Sequence, residues 1–369
     1  MKHITVLVSN DLTHDQRVRK VCDTLLAMGF EITLAGRKLR DSQPLERPYE
    51  VKRFRLWFTK GALFYANLNI RLYLYLLFAK TDIILANDLD TLWPAYAVAK
   101  GRGKQVVYDS HEYFTEAAGL TARPFPKKVW LSIEKRIFPK LKRVYTVNRS
   151  IAGFYEEKYK VPVKVVRNVP PVAGPIEKRD LAELGVPSGT KCLLLQGAFI
   201  DYDRGCLEAI QAMKYLEGAI LLIIGAGQAI PDAKRLVEEL KLDGKVKFFP
   251  KMKFEELRRI TASADVGLSL DKPKHLNYTY SLPNKLFDYI QAQTPVVASP
   301  LPEIQRVFSE HRIGLTIDSH DPKAIATCVE KVLEGSSDGE WTNGLVAAAR
   351  EFNWENEEKI LREIYSSLL

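Results

Sequence analysis

Cysteine is scarce in this chain: four residues, Cys22, Cys192, Cys206 and Cys328, in 369. None forms a C-x-x-C pair, and so sparse a set excludes a disulfide framework and leaves buried thiols in a reducing compartment as the expectation. Histidine is nearly as thin, with six residues and no H-x-x-x-H spacing, so no metal or other cofactor is expected. No apolar run is long and clean enough to span a bilayer. The longest, Gly61 to Ala79, is broken by Asn67, Asn69 and Arg71, where polar groups are costly in lipid. The apolar start, Ile4 to Val8, is too short for a secretory signal and is closed by Ser9, Asn10 and Asp11. There is no G-x-S-x-G nucleophile elbow, no P-loop, no low-complexity tract and no internal repeat.

What is present is an ordinary globular composition, 46% apolar and 27% charged, with enough chain for two domains of roughly 150–200 residues. The net charge of +9 is uneven. Residues 1–170 carry 30 Lys and Arg against 16 Asp and Glu, about +14; the remaining 24 and 29 leave about −5. Such an asymmetry suggests that the first half meets an anionic surface or polymer.

Short Val- and Ile-rich runs alternate with amphipathic stretches of helical length. Ile4–Val8, Ile32–Ala35, Asp82–Ala86, Gln105–Tyr108 and Arg143–Val147 read as buried parallel strands. Asp15 to Met28 reads as a helix with Val18, Val21, Cys22, Leu25 and Leu26 on one apolar face and Gly29 as its stop. The Pro- and Gly-containing stretch Val169–Pro175 is a linker, after which the alternation restarts at Cys192–Leu195, Ala219–Ile224, Val246–Phe249, Val266–Leu270 and Pro295–Ala298. The fold class is therefore α/β, with two doubly wound sheets in tandem, residues 1–168 and 169–353, and a final amphipathic helix over 354–369. Ligands in such sheets bind beyond the carboxyl ends of the strands, which places the expected site in a cleft between the domains.

Two polar clusters stand at such strand ends: Asn87-Asp88-Leu89-Asp90 and Asp109-Ser110-His111-Glu112. His111 offers an acid–base or hydrogen-bonding group and Glu112 a partner for a hydroxyl. Single acids at these places are often helix caps, and Asp15, near Arg17, reads equally well as a cap or a substrate contact. The basic stretch 123–143, with Phe125, Trp130, Ile133, Ile137 and Phe138 interleaved, has the composition of a helix that meets anionic lipid heads; a helix packed on its own domain with a solvated basic face is an even rival. Lys52 to Phe58 repeats the theme. No nucleic-acid motif is present.

In the second half, a strand runs into Gln196-Gly197-Ala198 and then Asp203-Arg204-Gly205. Another ends at Gly225-Ala226-Gly227, where glycines leave room for a ligand, although tight turning explains them as well. Asn277 to Tyr289 leads through Tyr280, Leu282, Pro283 and Asn284 into a helix. Its first N–H groups, Lys285 and a carboxylate at Asp288 able to bind a diol supply, in order, what a nucleotide ribose-diphosphate needs; a capped helix with an incidental surface Lys and Asp is the plainer alternative.

Across nearly its whole length the chain resembles the GT-B glycosyltransferases of retaining family 4. The resemblance rests on Asp15-Gln16-Arg17-Val18, Asp109-Ser110-His111-Glu112, Arg167-Asn168-Val169-Pro170, Ala264 to Leu268, Pro283 to Tyr289 and Thr294 to Ala298. It implies two Rossmann-like domains facing a cleft, with the last helix crossing back onto the first. It further implies metal-independent transfer of a sugar, with retention, from a nucleotide-diphosphate sugar to a glycan or lipid-linked acceptor, in cell-surface polysaccharide or glycolipid synthesis. The implied location is cytoplasmic, with a peripheral place on the inner face of the membrane through 123–143 as an option. His111, Arg204 and Lys285 are the implied catalytic residues. Donor contacts are implied for Gly197, Gly225, Gly227, Lys251, Met252, Tyr280, Leu282, Asn284 and Asp288; Asp15, Arg17, Asp88, Asp109 and Glu112 fall on the acceptor side. Two positions depart from the family pattern: Tyr280 replaces a glutamate and Ala198 an arginine. A sugar-nucleotide epimerase or a non-catalytic relative are the alternatives.

Overall fold

The computed structural model describes all 369 residues except His14, and Ala118 by its backbone alone. Contacts divide the chain into two units. The first comprises Met1–Asn168, His275–Asn277 and Glu357–Leu369; the second comprises Val169–Lys274 and Tyr278–Asn356.

The first unit holds a parallel sheet of β1 (His3–Asp11), β2 (Glu31–Lys38), β3 (Glu50–Arg55), β4 (Ile83–Asn87), β5 (Gln105–Ser110), β6 (Val144–Thr146) and β7 (Lys164–Val165) in the order β3-β2-β1-β4-β5-β6-β7. Val6 of the central strand lies in register with Leu34 on one side and Leu85 on the other. Ile4, Val6 and Leu7 are fully buried, because helices cover both faces of a parallel sheet. The order reverses between β1 and β4, opening a crevice at their carboxyl ends.

The second unit repeats the design with β8 (Lys191–Gly197), β9 (Ala219–Gly225), β10 (Val246–Phe249), β11 (Val266–Ser269), β12 (Val296–Ala298) and β13 (Gly314–Thr316), ordered β10-β9-β8-β11-β12-β13. Its switch point falls between β8 and β11, so the loops after those two strands diverge. The expectation of two doubly wound, Rossmann-like sheets is met.

Three strands escaped the sequence reading. β7 and β13 are only two and three residues long, too short for a pattern. Lys52–Phe58, expected as a second basic amphipathic element, is instead the edge strand β3 up to Arg55. Arg53-Phe54-Arg55-Leu56 alternates charged and apolar residues, and Lys and Arg on an edge discourage pairing with other chains. Beyond it, Trp57 remains 78% exposed.

The basic stretch 123–143 forms the helix Pro124–Ile137, whose Trp130, Glu134 and Ile137 are buried while Lys128, Lys135 and Arg136 are exposed. The helix Gly61–Phe78 buries Phe64, Leu68, Leu72 and Leu76 at four-residue spacing. No helix among the described residues is long and apolar enough to cross a membrane. The last helix, Trp354–Ser366, joins the first unit from Glu357 onward. The buried Glu357 accepts from the Arg167 backbone N–H at 2.7 Å and from its guanidinium at 2.8 Å. Tyr365 packs edge-on against Phe30 at 6.2 Å. All four cysteines are buried, and burial pushes the thiols of Cys192 and Cys206 up to about 12, which makes them poor nucleophiles.

Candidate active site

In the first unit, the ends of β4 and β5 and the start of the first helix bring five of the named residues together. Arg17 is buried and forks onto Asp109, Nε to Oδ2 at 2.9 Å and Nη2 to Oδ1 at 2.7 Å, while Nη1 donates to the Val166 carbonyl at 2.8 Å. Asp109 has no exposed side-chain surface; burial alone would raise its pKa, but Arg17 and His111 outweigh that and hold it down. His111 Nε2 lies 3.2 Å from Asp109 and 3.0 Å from Asn87 Oδ1. Its backbone N–H donates to Asp88 at 2.8 Å, and its Nδ1 lies 3.5 Å from the same carboxylate. Burial disfavours the imidazolium, yet Asp88 and Asp109 prevail and raise His111 to about 9, so His111 is a cation at neutral pH. Asp88 itself is pushed up by burial and adopts φ +60°, ψ +167°. That backbone region belongs almost wholly to glycine and costs roughly 1–3 kcal/mol.

Glu112 accepts from Asn277 Nδ2 at 2.7 Å, and Asn277 Oδ1 in turn accepts from the Tyr113 N–H at 3.0 Å. Asp15 caps its helix by accepting from the Val18 N–H at 3.0 Å, which is the cap option left open above. Arg17 and Asp109 are almost wholly buried, so their contribution is to fix the orientation of His111 through its Nε2, while the imidazole itself keeps one-fifth of its surface exposed.

In the second unit the two named cations converge. Arg204 Nη1 donates to Asp271 Oδ1 at 2.7 Å, and Lys285 Nζ lies 3.3 Å from Asp271 Oδ2. Asp271 is wholly buried; burial raises its pKa, but Lys285 and Arg204 together pull it below the usual carboxylate range. Burial lowers the Lys285 pKa, against the pull of Asp271. Tyr278 stacks 4.6 Å from the Arg204 guanidinium. The local chain explains the convergence. Gly205, at φ +72°, presses on Leu270, where any Cβ would come within 2.4 Å of the Leu270 carbonyl. This seats Arg204 beside the loop that follows β11. Lys285 is the second residue of the helix Asn284–Gln291, which starts after Pro283, so the helix N-terminus adds positive potential at that end.

The glycines are crowded by the protein's own chain, as the tight-turning option has it. A Cβ on Gly225 would lie 1.9 Å from the Gly197 carbonyl, and one on Gly227 2.0 Å from that of Ile200. The space beside these residues is thus filled by the 197–200 turn of the protein itself, whose Ile200 N–H donates to the Ala226 carbonyl at 2.8 Å. Asp288 accepts from Gln196 Nε2 at 3.3 Å and lines a small cavity of about 20 Å³ with Gln196 and Arg258. Lys251 is exposed in the loop after β10, and Met252 beside it packs on the core. Tyr280 and Leu282 are half-buried and Asn284 is exposed.

Asp271 was missed by sequence reasoning. The signal was there: an acid immediately after a buried strand, Leu268-Ser269-Leu270-Asp271, the same pattern that singled out Asp109. Among the described residues the metal-type side chains that gather are Glu310, His311 and Glu351; the two glutamates are exposed, and none of the three belongs to either cluster.

Two family models match the chain, Glycosyltransferase Family 4 over residues 15–171 and Glycosyl transferases group 1 over residues 190–335. A D-inositol 3-phosphate glycosyltransferase of a Nocardioides species is 27% identical over 208 residues, covering 50% of this chain and 43% of that protein. The lipopolysaccharide core biosynthesis glycosyltransferase LpsE of Rhizobium meliloti is 23% identical over 179 residues, 48% of this chain and 50% of that one. The chain thus spans about half the length of these curated relatives. Among solved structures, sucrose-phosphate synthase of Thermosynechococcus elongatus superposes with a TM-score of 0.77 at 18% identity, over 100% of this chain and 99% of that one. Anabaena HepE in complex with UDP-glucose gives 0.75 at 14% identity, over 100% of both. These likenesses carry the fold, GT-B.

Proposed function

The chain belongs to the family 4, group 1 glycosyltransferases, and on that premise we propose that it transfers a sugar from a nucleoside-diphosphate donor to a hydroxyl of a glycan or lipid-linked acceptor, with retention and without a metal ion. The second unit is the donor domain and the first the acceptor domain. The observation that carries the reading is the meeting of Arg204 and Lys285 on Asp271: two cations held in place, beside a helix N-terminus, where a departing diphosphate needs charge. The solved HepE complexes hold UDP and UDP-glucose, which makes UDP the first nucleotide to test.

In the step proposed, the bond from the sugar's anomeric carbon to the diphosphate oxygen breaks. The acceptor hydroxyl oxygen bonds to that carbon on the same face, and its proton passes to the leaving diphosphate. Arg204, Lys285 and the helix N-terminus take up the developing charge in place of a metal. Protonated His111 donates a hydrogen bond to the transferred sugar, oriented by Asp109 and Arg17. Asp288 and the loop at Lys251 and Met252 serve the ribose and base, and the enzyme works in the cytoplasm at the membrane's inner face in polysaccharide or glycolipid synthesis.

The test is a thermal-shift screen with UDP, GDP, ADP and CMP in EDTA, followed by donor turnover of Arg204→Ala and Lys285→Ala. A selective shift with one nucleotide, and a loss of turnover of about 10²–10³-fold in each variant, supports the reading. Near-parental turnover in both variants sinks it.

A further inference from the structure

Away from the clusters just described, the first unit holds a cavity of about 1080 Å³ between the helices Gly61–Phe78, Leu89–Arg102 and Pro124–Ile137. That volume is at the upper end for pockets that take whole small molecules, roughly 300–1,000 Å³. Its wall is chiefly apolar. Trp130 stands edge-on to both Tyr65 and Phe114, at 5.1 and 5.4 Å. Ile70, Phe125 and Val129 line the opening with 54%, 76% and 44% of their surface in solvent. Apolar side chains gathered this way around a hollow, rather than scattered singly, mark a binding surface.

The polar lining is one-sided in charge. Lys100, Arg123, Arg136 and Lys140 all border the cavity and are exposed, and none is in a salt bridge among the described residues. The one acid in the lining is Glu112, next in the chain to His111. A hollow with apolar walls and a cationic rim complements a molecule with a hydrocarbon body and an anionic head. A glycan would leave the walls unsatisfied, and a neutral lipid would leave the rim so.

We propose that this groove binds the hydrocarbon chain of a phosphate-bearing lipid, its phosphate on the basic rim, and that this lipid is the acceptor. The second clause rests on the transferase reading above; the binding itself does not. Glu112 ties the groove to the His111 cluster, so a hydroxyl on the lipid's polar head is presented where the acceptor-side residues stand.

Straight-chain alkyl phosphates from C6 to C16, each kept below its micelle concentration, are the probes, titrated calorimetrically against the intact protein. Affinity is expected to rise roughly fourfold for each methylene buried, from about 0.8 kcal/mol per CH₂, and to level off once the groove is full, with one lipid per protein. The alcohol of the same length binds at least tenfold more weakly, and salt weakens the phosphate's binding. Ala66→Trp fills the groove from an exposed helix position, so it folds as the parent does, and lowers affinity at least tenfold. Arg136→Glu combined with Lys140→Glu removes the preference for phosphate over alcohol. The nucleotide thermal shift stays as in the parent for both variants.

Equal binding of alcohol and phosphate, or parental affinity in Ala66→Trp, overturns the proposal. Binding only to whole anionic vesicles, with many lipids per protein, overturns it in favour of surface adsorption. Loss of the nucleotide shift in the parent, with the alkyl-phosphate titration intact, instead removes the transferase reading and leaves the lipid site standing.

Discussion

Replacing Asp271 with asparagine isolates the electrostatic logic of the second unit. Asp271 is wholly buried, with Arg204 at 2.7 Å and Lys285 at 3.3 Å. The amide keeps the shape but withdraws the only negative charge these two cations share in that contact. Deleting one partner of a buried pair typically costs about 3–5 kcal/mol, because the remaining charge stays desolvated without compensation. For a domain of this size each kcal/mol moves the melting temperature by roughly 2–4 °C, so Asp271→Asn should melt about 6–20 °C below the parent. A nucleoside diphosphate brings negative charge back to the same place. Its stabilising effect should therefore be larger in the variant than in the parent, since binding to the folded state adds in proportion to affinity and concentration. Differential scanning fluorimetry with and without saturating UDP reads both quantities. A variant that melts within 2 °C of the parent, or one that gains less from the nucleotide, refutes the view that Asp271 holds the place of the diphosphate.

His111 is raised to about 9, against an ordinary value near 6.5, so its contribution to stability is complete below about pH 6.5 and is lost as pH climbs through 9; urea midpoints of parent and His111→Gln should converge between pH 6 and 10, and a constant gap argues otherwise. Asp11 is lowered to about 2, where burial is outweighed by hydrogen bonds from Ser42 and Thr13 and by the Arg53 charge. It stabilises above about pH 4 and loses that effect as pH falls towards 2, so Asp11→Ala should flatten the acid limb of the stability curve by about 2 kcal/mol, read by denaturation at pH 2–6. Gly227→Ala places a methyl 2.0 Å from the Ile200 carbonyl; it should destabilise the second unit by roughly 1–3 kcal/mol as an overpacked position does, whereas an unchanged midpoint would return this glycine to ligand contact. Arg17→Lys loses the fork onto Asp109, which leaves more of that carboxylate's charge to His111, and the Arg17 charge itself holds the imidazole down; its loss of turnover should therefore come with a raised His111 pKa in the pH–rate profile, and a rate loss with an unshifted profile marks Arg17 as merely structural.

The layered fold was legible because its information is local. Val- and Ile-rich runs such as Ile4–Val8 and Ala219–Ile224 can be buried on both faces only inside a parallel sheet. Helices such as Gln16–Ala27 announce themselves by period and by the cap at Asp15. The short strands β7 and β13 exist because a neighbour offers an edge, as Val296 does to Gly314, and nothing in two or three residues records that. The same division runs through the site. His111, Arg204 and Lys285 were visible as chemistry at strand and helix ends, whereas their partners were not. Asp109 and Arg17 are 92 residues apart and Arg204 and Asp271 are 67 apart, so their pairing depends on the order of strands in each sheet. Sequence by itself determined the two sheets, the final helix and which groups carry charge. Tertiary structure decided that Asp271 joins two cations, that two glycines make room for the protein's own turn, and that three helices enclose an apolar groove with a basic rim, because each requires surfaces distant in the chain to meet.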